Sequence, residues 1–312
     1  MTEIELDGQY RALREAAGVL ERERGFLDVS GSEAGEYLQG QLTNDVESLA
    51  VGGGCYSALL DRKGRMQGDM RVLRAADRFR IDTEPAGADA VRRHLSMYKV
   101  GRDVEIADRS GELALLSVIG PAASELALAG PLAPEHAHRD AAPGGIVCLA
   151  IATDTGIDLL VARDRAGALS EALVEAGAEA VSEAAAEVVR VEGGRPRFGR
   201  EMSTATIPQE AGINERAVSF SKGCYIGQET VARLHYRGKP NRRLRGLRLA
   251  APVADGSTVH LDERELGAVG TAVLSPARGP IALAILRREA ELGATVEVGD
   301  EGVAAEVVEL PF

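Results

Sequence analysis

The apolar positions of this chain switch repeatedly between helical and strand spacing. Tyr10, Leu13, Ala17 and Leu20 recur every three or four residues and predict a helix over 9–20. FLDVSG (26–31) reads as a short strand, and SEAGEYLQGQL (32–42) as a helix leading into Thr43-Asn44-Asp45. CYSALLD, RMQGDMRVLR and RFRIDTE, separated by the polar turns RKG and AAD, predict three successive strands. In the middle strand a period of two puts Met66, Met70 and Val72 on one face and Gln67, Asp69 and Arg71 on the other. A helix over 86–97, strands over 103–108 and 112–119 and a helix after Pro121 follow. GIVCLAIATDTGIDLLVARD then reads as two strands about a Thr-Gly turn, and 164–176 and 182–191 as Ala/Glu-rich helices.

From about residue 242 the pattern changes. RLRGLRLA, GSTVHLD, GAVGTAVLS, IALAILRR, TVEVGD and AAEVVEL are short β-like runs with Gly and Pro between them, as in a small antiparallel barrel or sandwich. The expected fold is therefore α+β: a mixed region over 1–240, built of two interleaved subdomains, and a β-rich domain over 241–312. The chain of 312 residues, 45% hydrophobic, is long enough to bury such cores. Its most apolar stretch, ELALLSVIGPAASELALAG, is broken by Pro121 and Glu125 before it could span a bilayer. The charged N-terminus lacks the apolar core of a signal peptide. Three cysteines without a disulfide framework suit a reducing cytosol, so a soluble cytoplasmic protein without membrane contact is expected. No Cys/His cluster has zinc-ligand spacing, and no resident metal is expected. A net charge of −12 argues against direct nucleic-acid binding.

Against that acidic background, KGCYIGQETVARLHYRGKPNRRLRG (222–246) is unusual. Cys224 stands between Gly223 and Tyr225, beside Lys222, just before a predicted helix that opens near Gln228. A helix N-terminus and a neighbouring ammonium both favour an anion, so this frame suits a reactive thiolate. A cysteine packed in a glycine-rich turn is the alternative. Cys55 and Cys148 lie in apolar strands and read as packing residues. Arg233, Arg237, Lys239, Arg242, Arg243, Arg245 and Arg248 follow, with no acid between Glu229 and Asp255. Converging guanidinium groups would suit a small polyanion, and divergent ones a solvated strand face. Asp69 and Glu192 are carboxylates that could accept hydrogen bonds from a heterocycle or take a proton from an amine; surface positions are the alternative.

Several segments, taken in order, resemble one family: YLQGQLTNDV (37–46), GRMQGDMRVL (64–73), VRVEGGRPRFGREM (189–202), TIPQEAGI (206–213), KGCYIGQETVARLHYRG (222–238) and SPARGPIALAILR (275–287). The chain resembles the folate-dependent YgfZ/GcvT-like proteins, and KGCYIGQE is similar to the signature of the YgfZ branch, implicated in iron–sulfur cluster assembly and repair. The resemblance implies a GcvT-like fold with a C-terminal antiparallel β-barrel and a site for tetrahydrofolate or a one-carbon derivative. It implies Asp69 at the position of the aminomethyltransferase's catalytic aspartate, Glu192 at that of the glutamate holding the pterin ring, and Arg242 at that of the arginine binding the folate carboxylate. Asn44 falls in the segment bordering the pocket, and Phe198 where a folate-contacting tyrosine often stands. Cys224, with Lys222 and Gln228 in its motif, is the branch's thiol. Gly68 departs from the aminomethyltransferase pattern, which has paired aspartates there. The implied function is a folate-binding protein supporting iron–sulfur enzymes, with iron–sulfur assembly or client proteins as partners. The rival is a tetrahydrofolate-dependent aminomethyl or one-carbon transferase.

Overall fold

The computed structural model describes residues 2–312. The chain forms two compact units: one comprises the N-terminal segment to Leu60, Gln67–Ala186 and Arg216–Ile226, and the other Asp61–Met66, Glu187–Glu215 and Gly227–Phe312.

The first unit holds two sheets. A five-stranded sheet runs in the order Gly54–Leu60, Met66–Arg74, Arg78–Thr83, Gly25–Ser30, Glu105–Asp108. The helices Ala34–Gln41 and Pro85–Tyr98 cover one of its faces, burying Tyr37, Leu38, Val91 and Leu95 against Met70, Val72 and Ile81. The six-stranded sheet is ordered Glu179–Ala180, Gly18–Arg22, Leu113–Ile119, Gly156–Ala162, Cys148–Ala152, His138–Ala141. Helix Ala166–Glu175 packs Leu169 and Leu173 into its core. Phe26 and Leu73 of the first sheet meet Leu115, Ile151 and Leu160 of the second, so the two sheets share an apolar seam.

Ions cross the same seam. Arg71 Nε donates to Asp82 Oδ2 at 2.6 Å, and its Nη1 to Asp158 Oδ2 at 2.6 Å. Arg24 pairs with Asp82 and Glu84. The polar face of the strand Met66–Arg74 is thus interior: Asp69 is 5% and Arg71 7% exposed. Burial of Arg71 is tolerated because its guanidinium meets the carboxylates of Asp82 and Asp158.

Three local readings differ from the periodicity. The first helix runs over Glu3–Glu15, opened by a Thr2/Glu5 capping box, and Gly18–Arg22 is a strand instead of the helix's last turn. Gly18 to Arg22 pair with Ile119 to Leu115, and a helix continued through Leu20 would forfeit that ladder. After Pro121 only one turn forms, Ala123–Leu126, and the strand His138–Ala141 carries no apolar alternation that announces it.

The second unit carries a closed six-stranded barrel, ordered Arg242–Leu249, Gly279–Arg287, Arg264–Ser275, Thr258–Leu261, Thr295–Val298, Val303–Val308, with every pairing antiparallel. Closure leaves no open sheet edge. Its interior is lined by Leu247, Val259, Val269, Leu286, Val296 and Val307. Val191, near the end of helix Glu183–Glu192, packs on Ile281 and Leu283. Among the described residues no helix is long and apolar enough to cross a membrane.

Candidate functional site

In the first unit the centre is Asp69. Tyr56, on the neighbouring strand, donates its hydroxyl to Asp69 Oδ2 at 2.7 Å, while Oδ1 is buried without a partner. Burial, and then the charge of Glu84, push the Asp69 carboxyl up to about 6, against the opposing effects of Tyr56 and Arg24. The Tyr56 hydroxyl is raised well above its ordinary range by burial and then by Asp69. Arg216 lies over the Tyr56 ring, 5.0 Å from its centroid, and pairs with Glu135 at 2.6 Å. The group is a buried acid with one oxygen held and one unsatisfied. Such an oxygen can accept an N–H from a ligand or take up a proton near neutral pH.

Asn44 ties the loops beside this centre. Its Nδ2 donates to the carbonyls of Tyr56 at 2.8 Å and Arg216 at 2.9 Å, and its Oδ1 accepts the Asp45 N–H at 2.9 Å. Lys222 departs from its expected place as a cation serving Cys224. Its Nζ donates to the carbonyls of Gln39 at 2.6 Å, Leu42 at 2.7 Å and Asn44 at 2.8 Å, using all three N–H bonds. The lysine is a staple holding the KGCY loop against the end of helix Ala34–Gln41. Burial lowers its pKa to about 8, against the opposing charge of Asp45. Cys224 is exposed. Cys148 is buried and Cys55 half-buried, as packing residues are, and burial pushes their thiols up to about 11 and about 12.

The remaining candidates fall in the second unit. Glu192 is 6% exposed and accepts the Ser275 hydroxyl on Oε1 at 2.5 Å. Phe198 is buried, in a bridge with Met202. Arg242 opens the first barrel strand with its guanidinium engaged: Nε and Nη2 reach the two oxygens of Glu210 at 2.9 and 3.0 Å, and Nη2 also reaches the Ala205 carbonyl at 2.8 Å. Gln228 is the first residue of helix Gln228–Arg237, whose cap Gly227 has φ of 85°, a left-handed conformation that glycine adopts without strain. The basic string is divided between that helix and the strand Arg242–Leu249. Asp69, Asn44, Lys222 and Cys224 thus belong to one unit, and Glu192, Phe198, Arg242 and Gln228 to the other. The sequence reading missed Tyr56, Arg216, Glu210 and Ser275. Each acts through a hydrogen bond or ring contact to a residue distant in the chain, which periodicity does not reveal.

The fold is that of the GcvT-like aminomethyltransferases, mixed α/β with a closed antiparallel barrel. It matches the crystal structure of the glycine cleavage system aminomethyltransferase T from Bartonella henselae with a TM-score of 0.87 at 23% identity, over 100% of this chain and 90% of that one. Residues 5–222 match the GCVT N-terminal domain, and residues 242–312 the glycine cleavage T-protein C-terminal barrel domain. The chain belongs to the glycine cleavage T-protein family. It is similar to an aminomethyltransferase of Symbiobacterium thermophilum, 31% identical over 97% of this chain and 88% of the relative. It is also similar to one of Rubrobacter xylanophilus, 28% identical over 98% and 86% respectively.

Proposed function

We propose that this protein binds tetrahydrofolate or a one-carbon derivative of it and acts as a one-carbon transferase of the aminomethyltransferase type. The observation that carries the reading is the unsatisfied, buried Oδ1 of Asp69. A buried carboxylate oxygen costs several kcal/mol unless a donor reaches it, and the ring and amine N–H groups of a reduced folate are donors of the required kind. Bound tetrahydrofolate supplies the nitrogens that carry and release the one-carbon unit. Asp69, raised to about 6, exchanges a proton near neutral pH, and Tyr56 holds its other oxygen in place. Glu192 would accept N–H donors from the heterocycle. Arg242 would reach a folate carboxylate only by sharing or releasing its bonds to Glu210. The named activities of the relatives support transfer chemistry. The test is incubation with methylene-tetrahydrofolate and an aminomethylated carrier protein. Turnover is expected to fall by about 10²–10⁴-fold in Asp69→Asn and to persist in Cys224→Ala; absence of wild-type turnover removes the reading.

A second reading has its own observation: the thiol of KGCYIGQE is exposed, on a loop fixed by the Lys222 staple. That arrangement suits folate-linked support of iron–sulfur enzymes, with Cys224 meeting a partner protein. In this YgfZ-type role one thiolate would share a cluster whose other ligands the partner supplies. Complementation of a strain lacking the protein tests it. Cys224→Ala is expected to leave iron–sulfur enzyme activity unrestored, and full restoration removes the role. In the native protein Cys224 is expected to be alkylated first, ahead of Cys55 and Cys148; equal rates for the three would remove the exposed-thiol premise.

A further inference from the structure

Ser275 ends the long barrel strand Arg264–Ser275 and is 2% exposed. Its hydroxyl oxygen accepts the N–H groups of Ala277 at 3.1 Å and Arg278 at 2.9 Å, so the turn that follows it uses both lone pairs. Only the proton remains, and it is donated to Glu192 Oε1 at 2.5 Å, a residue 83 positions away. Two accepted bonds polarise a hydroxyl toward stronger donation. The acceptor needs this. Glu192 is the last residue of helix Glu183–Glu192, where the helix dipole disfavours negative charge, and it is nine-tenths buried. Its backbone carbonyl accepts the Phe312 N–H at 3.0 Å, so the backbone is tied down as well.

We infer that Ser275 is the positioning residue for the Glu192 carboxylate. Its hydroxyl keeps that group ionised and fixes which way it faces, so that it can receive the adjacent N–H donors of a bound heterocycle. The inference rests on the folate reading for the identity of that heterocycle, a reduced pterin. The serine–glutamate couple itself rests on the geometry alone. Alanine at 275 leaves the helix-end carboxylate without its hydroxyl donor and the two turn N–H groups without their acceptor. Threonine keeps the hydroxyl.

The experiment has two arms, both on the full chain. Carbon-13 NMR of glutamate-labelled protein without ligand, with the Glu192 carboxyl assigned through Glu192→Gln, follows its titration in wild type and in Ser275→Ala. Calorimetry measures tetrahydrofolate binding by wild type, Ser275→Ala and Ser275→Thr across pH. The expected result is a higher Glu192 titration midpoint in Ser275→Ala and binding about 10-fold weaker. The pH at which binding is lost moves upward with the midpoint, and Ser275→Thr stays within about threefold of wild type. An unchanged Glu192 midpoint in Ser275→Ala overturns the inference, as does wild-type affinity in that variant. Wild-type protein that binds no tetrahydrofolate, yet shows the midpoint shift in Ser275→Ala, removes the folate reading and upholds the couple.

Discussion

Asp82 and Asp69 sit on adjacent strands of the same sheet, are buried to nearly the same depth, and meet opposite surroundings. Asp82 lies between Arg24 and Arg71, which hold its carboxyl below the usual range although burial pushes the other way. Asp69 has a hydroxyl on one oxygen and nothing on the other, and burial wins. The first arrangement spends its charge on joining two sheets. The second keeps a carboxyl that changes protonation close to neutrality, at a cost in stability. Strained or unsatisfied polar groups that persist in a folded chain mark places where something besides stability is served.

Breaking the paired region gives the largest effect. Arg71→Ala leaves Asp158 without its ion pair and Asp82 with Arg24 alone, a loss of about 3–5 kcal/mol in urea unfolding. A loss below about 1 kcal/mol, the size of an exposed pair, would show that the seam is solvated and that the contrast with Asp69 is false.

Asp69→Asn sharpens the contrast by reversing the sign. The folded pKa of Asp69 is raised from 3.8 to about 6, so the folded state binds the proton more tightly than the unfolded state. Stability therefore falls as pH climbs through that window, and the full cost, about 3 kcal/mol, is present at pH 7.5. The amide carries no such cost. The variant is expected to be more stable than wild type by about that amount at pH 7.5, and by about half as much at pH 5. A destabilised Asp69→Asn at pH 7.5 would mean that the carboxylate is as well satisfied as that of Asp82.

How much of this could be read from the sequence depends on the distance over which each feature is specified. The barrel strands were legible because Gly or Pro stands in every turn between them except Asp262-Glu263, and the strands around Asp69 because polar turns separate them. The first helix was misplaced because the choice at Gly18–Arg22 is made by the strand Leu113–Ile119. Asp69 and Glu192 could be named through the family resemblance. What their environments do to them could not, since Tyr56 and Ser275 reach them across 13 and 83 positions. Lys222 shows the reverse error. Adjacency in sequence suggested a partner for Cys224, whereas its donors go to carbonyls some 180 positions back.

Tyr56→Phe is the finest cut between the two regions, because it removes one atom and leaves the ring under Arg216. The phenol donates to Asp69 Oδ2, so its loss strips the ionised form of support and leaves the protonated form nearly untouched. The Asp69 midpoint should climb further above about 6, by about one pH step, with a matching loss of about 1 kcal/mol at pH 7.5. The sign follows as for the wild type: the added cost is present above the new midpoint and fades as pH falls through it. Carbon-13 NMR of the aspartate carboxyls reads the midpoint directly, with Asp69→Asn identifying the resonance. An Asp82 carboxyl that stays put in the same spectra would show that the change is confined to the unsatisfied corner. An Asp69 midpoint that does not move would mean that Tyr56 is a packing neighbour, and that the proton equilibrium of this acid is governed from elsewhere in the first unit, with Glu84 and Arg24 the next groups to vary.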